Sequence, residues 1–277
     1  MNARARRYVT CLVLIPVSLI LAAVLVASAG TESPQVIREK APVVAAKPKM
    51  HAAITPMPRK EAWFMKRHEY INQRVKKGDI DMIFIGDSIT GAWGGAGKAA
   101  WSKYYGKRKA ANLGIGGDRT QEVLWRLNHG NIDGIQPKLA VILIGVNNSP
   151  GKAYSVAQIA DGVSHIVALV RKKLPETKIL LLGIFPYREH PCPDRGKSLQ
   201  VNQIIRKLDD GRYVHYLDIG HHFIDAKGAI SRDIMPDFLH FSPAGYELWA
   251  SLMESKIAEL MGDEPGGVAG SKAKAAK

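Results

Sequence analysis

A small set of residues in this 277-residue chain combines types and spacings suited to acyl-transfer chemistry. Ser88 stands in Gly86-Asp87-Ser88-Ile89-Thr90, directly behind the apolar run Met82–Ile85. A strand, a glycine turn and a helix start would leave its hydroxyl exposed with backbone N–H groups beside it, as a nucleophile needs; a helix-capping Ser or Asp uses the same residue types. Asp237 precedes His240 by three residues, just ahead of a helix opening at Pro243. A carboxylate so placed can accept the imidazole Nδ1–H and leave Nε2 free as a base. Asn147, in Gly145-Val146-Asn147-Asn148, could donate its amide to a developing oxyanion or form a turn. Gly117, in the glycine-rich stretch Asn112–Thr120, could bring backbone N–H groups close to a ligand oxygen.

Other chemistries lack their residues. The Gly114-x-Gly116-Gly117 cluster is not a dinucleotide fingerprint, because Arg119 occupies the third-glycine position and the first strand lies elsewhere. No cofactor is expected. The His221-His222 doublet has no third ligand at a metal-binding spacing, so no metal is expected either. Asp118 with Gln121 fits a capping box for the following helix, a structural role. Asp87 could support the serine turn and stands outside the candidate catalytic set.

The elements that must position these residues alternate along the chain. Apolar runs at Met82–Ile85, Ala140–Ile144, Ile179–Leu182 and Val214–Leu217, with a weaker one at Ala110–Leu113, predict strands. Helical patterns over Glu61–Lys77, Thr120–Asn128, Ser155–Lys173, Lys197–Leu208 and Pro243–Met261 separate them. Strands apolar on both faces and joined through helices imply a parallel sheet covered on two sides, a three-layer α/β/α sandwich. In such folds the site lies beyond the carboxyl ends of the strands, and Ser88, Gly117 and Asn147 each follow a predicted strand.

The net charge of +14 is spread unevenly. Residues 61–261 carry 27 Lys and Arg against 21 Asp and Glu, without the concentrated basic stripe of a nucleic-acid binder. Residues 1–29 read as a signal peptide: Arg4, Arg6 and Arg7, an apolar run to Val26, then Ala27-Ser28-Ala29. An uncleaved N-terminal anchor is the rival reading, since the run approaches the roughly 20 residues that span a bilayer. Either way the protein is expected to be exported. Residues 30–60, rich in Pro, Ala and Lys, read as a linker, 61–261 as one catalytic-sized domain, and 262–277 as a disordered tail. The two cysteines, Cys11 and Cys192, leave no internal disulfide once the N-terminus is removed.

Together the segments holding Ser88, Gly117, Asn147 and His240 resemble the four blocks of the SGNH/GDSL hydrolase family, in the family's order, with Asp237 completing a triad. The stretch Asn112–Leu127 and Asp237-Phe238-Leu239-His240 look like the platelet-activating-factor acetylhydrolase branch. The third block reads Gly-Val-Asn-Asn where many members have Gly-x-Asn-Asp. The resemblance runs from about Trp63 to Leu260. It implies a flavodoxin-like sandwich with a roughly five-stranded parallel sheet, and a serine esterase acting on small acyl, especially acetyl, esters. It implies Ser88, Asp237 and His240 as the triad, and Ser88, Gly117 and Asn147 as the oxyanion hole. A carbohydrate O-acetyl esterase or a lysophospholipase would use the same residues; a secreted binding module would keep the fold without turnover. The loop Phe185–Asp194 is expected to border the acyl or alcohol pocket.

Overall fold

The computed structural model describes residues 50–265. The expected signal peptide, most of the linker and Cys11 lie outside them. No helix among the described residues is long and apolar enough to cross a membrane.

A short 3-10 turn at Ala52–Ile54 precedes α1 (Ala62–Lys76), β1 (Met82–Gly86), α2 (Ser88–Gly91), α3 (Lys98–Tyr105) and β2 (Ala110–Asn112). There follow α4 (Thr120–Leu127), β3 (Leu139–Leu143), α5 (Val156–Lys173), β4 (Lys178–Leu182), α6 (Pro193–Ile205), β5 (Val214–Leu217) and α7 (Pro243–Met261). The five strands form one parallel sheet in the order β2-β1-β3-β4-β5. β1 and β3 are buried at every residue, as expected where helices cover both faces. α4, α5 and α6 pack side by side, and α3 packs on α7. The crossover from β1 to β2 runs one way along the sheet and those from β2 through to β5 run the other; right-handed crossovers of opposite sense cover opposite faces, so these two groups form the outer layers.

Local sequence explains where the long helices begin and end. At α5 the Ser155 hydroxyl accepts from Gln158 N–H while the Gln158 side chain accepts from Ser155 N–H, a reciprocal cap. At α7, Ser242 caps the first turn, Pro243 takes the first helical position, and Gly262 ends the helix in the left-handed region at φ 71°.

Behind the serine turn lies an aromatic cluster: Phe84 from β1, Trp93, Tyr105 from α3, and Tyr246 and Trp249 from α7, all essentially buried. Trp93 sits 4.6 Å from Tyr246 and 4.7 Å from Trp249, ring centroid to ring centroid. Each such ring removes about 150–250 Å² from water, worth roughly 4–6 kcal/mol before ordering entropy. The Tyr246 hydroxyl donates to the Ile89 carbonyl at 2.6 Å, so α7 is tied to the turn bearing Ser88.

Two helix expectations need correction. α3 was not anticipated, because Lys98–Tyr105 is too short to display a clear period. α6 starts at Pro193 rather than Lys197, since a proline suits a first helical position. The described residues of the expected linker and tail make contacts with the body, and the rest of the expected tail, residues 266–277, lies outside the described residues. Ala53 and Ile54 are buried, and the Thr120 hydroxyl donates to the Ala53 carbonyl at 2.8 Å. At the far end, Arg108 grips Glu254 with two nitrogens, at 2.7 and 2.8 Å, and Asp263 at 2.9 Å.

The turn after β2 runs tight against α2. A Cβ added at Gly114 would lie 2.3 Å from the backbone nitrogen of Gly91, so the two segments meet backbone to backbone. Gly114→Ala should therefore force them apart, costing about 1–3 kcal/mol and several degrees in Tm. Calorimetry checks this; an unchanged Tm would show that the turn has slack.

Candidate active site

Ser88, His240 and Asp237 are joined by hydrogen bonds. Ser88 is the first residue of α2, immediately beyond β1. Its Oγ lies 2.9 Å from His240 Nε2, and His240 Nδ1 lies 2.7 Å from Asp237 Oδ2. An ionised carboxylate only accepts, so the proton sits on Nδ1 and Nε2 is free to accept from the serine hydroxyl.

The Asp237–His240 turn is self-bracing. Asp237 Oδ1 accepts from the backbone N–H of Leu239 at 3.1 Å and of His240 at 2.7 Å. Phe238 between them has φ 59°, a left-handed conformation uncommon for a bulky residue; its N–H bonds the Met235 carbonyl and its carbonyl accepts from Arg188 N–H. Partial burial alone would push the Asp237 carboxyl up. The hydrogen bonds from the His240 ring and the two N–H groups outweigh that and hold it below the usual carboxylate range.

Gly117 and Asn147 stand in the turns after β2 and β3. A methyl added at Gly116 would lie 3.9 Å from Ser88 Cβ, so this turn faces the nucleophile, and Gly117 bends it with φ 70°. Asn147 donates one amide hydrogen to the Asp118 carbonyl at 2.9 Å, which leaves its second amide hydrogen for a ligand. Asn148, by contrast, is fully buried. It accepts from Thr120 N–H at 3.1 Å and reaches Thr120 Oγ1 and Gln121 Oε1, each at 3.3 Å. The doublet thus splits into a half-buried amide with a hydrogen to spare and a fully buried structural one.

A cavity of about 190 Å³ opens beside the triad, lined by Val146, Asn147, Pro150, Tyr187, Phe238 and Leu239 together with Arg188 and Asp237. Tyr187 and Arg188 belong to the loop Phe185–Asp194 expected at the pocket. No cluster of metal-ligating side chains occurs among the described residues.

Beneath the site, a buried network links the turns. Arg126, fully buried in α4, donates to Asp118 Oδ2 at 2.8 Å, to the Gly86 carbonyl at 2.9 Å and to Asn131 Oδ1 at 3.1 Å. Burial pushes the Asp118 carboxyl up to about 6 against the pull of Arg126. Asp87, also fully buried, is pushed up to about 7 by burial, with its Oδ1 accepting from Ile89 N–H at 3.0 Å. The expected Asp118–Gln121 capping box does not form. Asp118 is drawn to the arginine, the Gln121 amide donates to the Tyr154 hydroxyl, and Glu122 accepts from Arg119 N–H instead. Arg126 was not anticipated. Its spacing from Val123 and Leu127 on one helical face was the available signal, because that face is apolar and buried.

A serine, an imidazole and a carboxylate bonded in that order, at the carboxyl ends of a parallel sheet, are the equipment of an acyl-transferring hydrolase. Residues 84–248 match the model of the GDSL-like lipase/acylhydrolase family, and the chain belongs to that family of ester hydrolases. Platelet-activating factor acetylhydrolase IB subunit alpha1 of Homo sapiens is 33% identical over 205 residues, covering 74% of this chain and 86% of the relative. Among solved structures, a GDSL-like lipase of Bacteroides thetaiotaomicron superposes with TM-score 0.57 at 18% identity, covering 70% of this chain and 97% of that one. An acetylxylan esterase of Geobacillus stearothermophilus gives 0.51 at 18% identity, with 66% and 94% covered. At these identities the two structures speak to the fold.

Removing the arginine strands Asp118 without its cation. Arg126→Met should cost about 3–5 kcal/mol, a fall in Tm near 10 °C or more for a domain of this size. Thermal unfolding of the purified variant checks it; a loss below about 1 kcal/mol would show that the pair is dispensable.

Proposed function

We propose that the protein is a serine esterase that hydrolyses small acyl esters, acetyl esters foremost, with Ser88 as nucleophile, His240 as base and Asp237 as the acid partner. The observation that carries this is the Ser88–His240–Asp237 chain of hydrogen bonds, at 2.9 and 2.7 Å. His240 Nε2 takes the hydroxyl proton as Ser88 Oγ bonds to the ester carbonyl carbon, and Asp237 stabilises the resulting imidazolium. The carbonyl oxygen becomes negative and is met by the N–H groups of Ser88 and Gly117 and by the free Asn147 amide hydrogen. The first N–H groups of a helix have no intrahelical partner, which suits Ser88 to that task. When the tetrahedral adduct collapses, the ester C–O bond breaks and His240 returns the proton to the departing alcohol. Water then attacks the acyl-serine through the same base, releasing the acid and restoring Ser88.

The preference for small acyl groups is supported by the cavity beside Asn147. At about 190 Å³ it lies below the roughly 300–1,000 Å³ of clefts that enclose drug-sized ligands. We assign the reaction to a compartment outside the cytoplasm on the sequence of residues 1–29: three arginines, an apolar run and Ala27-Ser28-Ala29.

Asp237→Asn should preserve the fold, because the side chains are nearly isosteric and the Oδ1 contacts survive. It should favour the wrong imidazole tautomer and cost about four orders of magnitude in kcat. Near-normal turnover of a short ester by the folded variant would mean that another acid serves His240.

The asparagine doublet offers a sharper comparison. Asn147→Ala should lose about 10²–10³ in kcat with KM changed only a few-fold, since an oxyanion contact strengthens mainly in the transition state. Asn148→Ala should instead lower Tm, because it leaves Thr120 N–H buried without its acceptor. Kinetics and melting of both variants, side by side, decide the matter. Equal kinetic losses, or an Asn147 loss explained by unfolding, would remove Asn147 from the oxyanion hole.

A further inference from the structure

Two arginines flank the proposed oxyanion hole. Arg59 reaches from the segment ahead of α1 to donate to the Gly117 carbonyl. Arg119, at the other edge, donates from Nε to the Asn147 carbonyl at 3.2 Å. Each oxyanion-bearing turn therefore carries a guanidinium on its rim.

The Arg59 segment is built against the site. Ala53 is fully buried, the Ala53 carbonyl accepts from Thr120, and Met57 N–H donates to the Gln121 carbonyl at 3.2 Å. The Arg59 guanidinium also lies 5.6 Å from the centre of the Trp63 ring. Neither Arg59 nor Arg119 joins an ion pair among the described residues. Two acids in the adjoining turn and helix are committed elsewhere. Asp118 feels Arg59 across the turn, yet it is fully buried and bonded to Arg126. Glu122 is occupied by the Arg119 backbone N–H. A guanidinium carries five N–H donors, and each arginine is fixed by one backbone carbonyl with the others still to place. Side chains already held in position lose little freedom on binding an anion.

We propose that Arg59 and Arg119 form an anion-recognising clamp that selects esters whose alcohol half bears a carboxylate or a phosphate. This rests on the esterase reading above. The charge belongs on the alcohol half because the cavity beside Asn147 is walled by Val146, Pro150, Phe238 and Leu239, and its one cation, Arg188, lies 3.5 Å from Asp194. An anion within about a Debye length of the rim, ~8 Å at physiological salt, would feel both arginines. Planar guanidinium forks suit carboxylate and phosphate oxygens alike.

The test compares three acetyl esters of similar shape, 4-acetoxybenzoate, 4-acetoxyphenyl phosphate and the neutral 4-acetoxybenzamide, using the full chain. Wild type should favour at least one charged ester over the amide by about tenfold in kcat/KM, mainly through KM, and added salt should shrink that ratio. The charged ester preferred tells carboxylate from phosphate. In Arg59→Gln/Arg119→Gln the charged-to-neutral ratio should fall toward unity, and Arg119→Lys should keep more of it than Arg119→Gln. Because Arg119 is exposed, its single variant carries the test if the double variant does not fold. A wild-type ratio near unity, or variant losses equal on charged and neutral esters, would overturn the clamp while leaving the esterase reading intact. No turnover of any of the three by folded wild type would overturn that reading and the clamp with it.

Discussion

The buried pair between Arg126 and Asp118 is the interaction on which the geometry of the site depends. In the proposed oxyanion hole three turns, after β1, β2 and β3, would each present one group to a single ester carbonyl. The arginine touches the first through the Gly86 carbonyl and the second through the Asp118 carboxylate. The Asp118 carbonyl then accepts the Asn147 amide and so holds the third. A buried ion pair is a weak source of net stability, since desolvating both charges cancels much of their attraction. What it supplies here is direction. A planar guanidinium with fixed N–H vectors tolerates few arrangements of its partners, so the turns are located relative to one another by one side chain.

Sheet order explains why those turns converge at all. With the order β2-β1-β3-β4-β5, the connections from β1 and β3 depart in opposite directions and leave a crevice beyond their carboxyl ends. Ser88 follows β1 and Asn147 follows the end of β3, so both stand at that crevice. His240 arrives from the far end of the chain, and nothing in the sheet determines its distance from Ser88. The aromatic cluster does, together with the hydrogen bond from Tyr246 in α7 to Ile89 in α2. Catalytic geometry thus draws on the strand ends for one half and on helix packing for the other.

The strands were legible because β1, β3 and β4 are apolar almost throughout, and α5 and α7 because each carries a long helical pattern. The candidate residues Ser88, Gly117, Asn147, Asp237 and His240 could be picked out because each follows a strand or directly precedes the last helix. What could not be read was contact between distant segments. Arg59 lies in a proline-rich stretch with no period, and only the folded chain brings it to Gly117. Arg119 drew notice merely as the residue that spoils a dinucleotide fingerprint. Asp118 looked like a cap because its spacing to Gln121 suits one, whereas a buried arginine two turns along the helix competes for it and wins by charge.

Two aspartates stand near the histidine and serine, and their surroundings separate them. Asp87 is fully buried with its Oδ2 unpartnered among the described residues, and it is pushed up to about 7. Its folded-state pKa is raised, so the stability it contributes is present below about pH 4 and is lost as pH rises through about 7. Such an acid is substantially protonated near neutrality and makes a poor counter-charge for an imidazolium. Asp237 is partly exposed and held below its ordinary range by three hydrogen bonds, so its contribution runs the other way, present above about pH 4 and lost on acidification. When the environments of two like groups push their pKa values apart, their roles follow. The carboxylate that stays ionised is the one on Nδ1 of His240, and the buried acid behind Ser88 is left to brace the turn through Ile89.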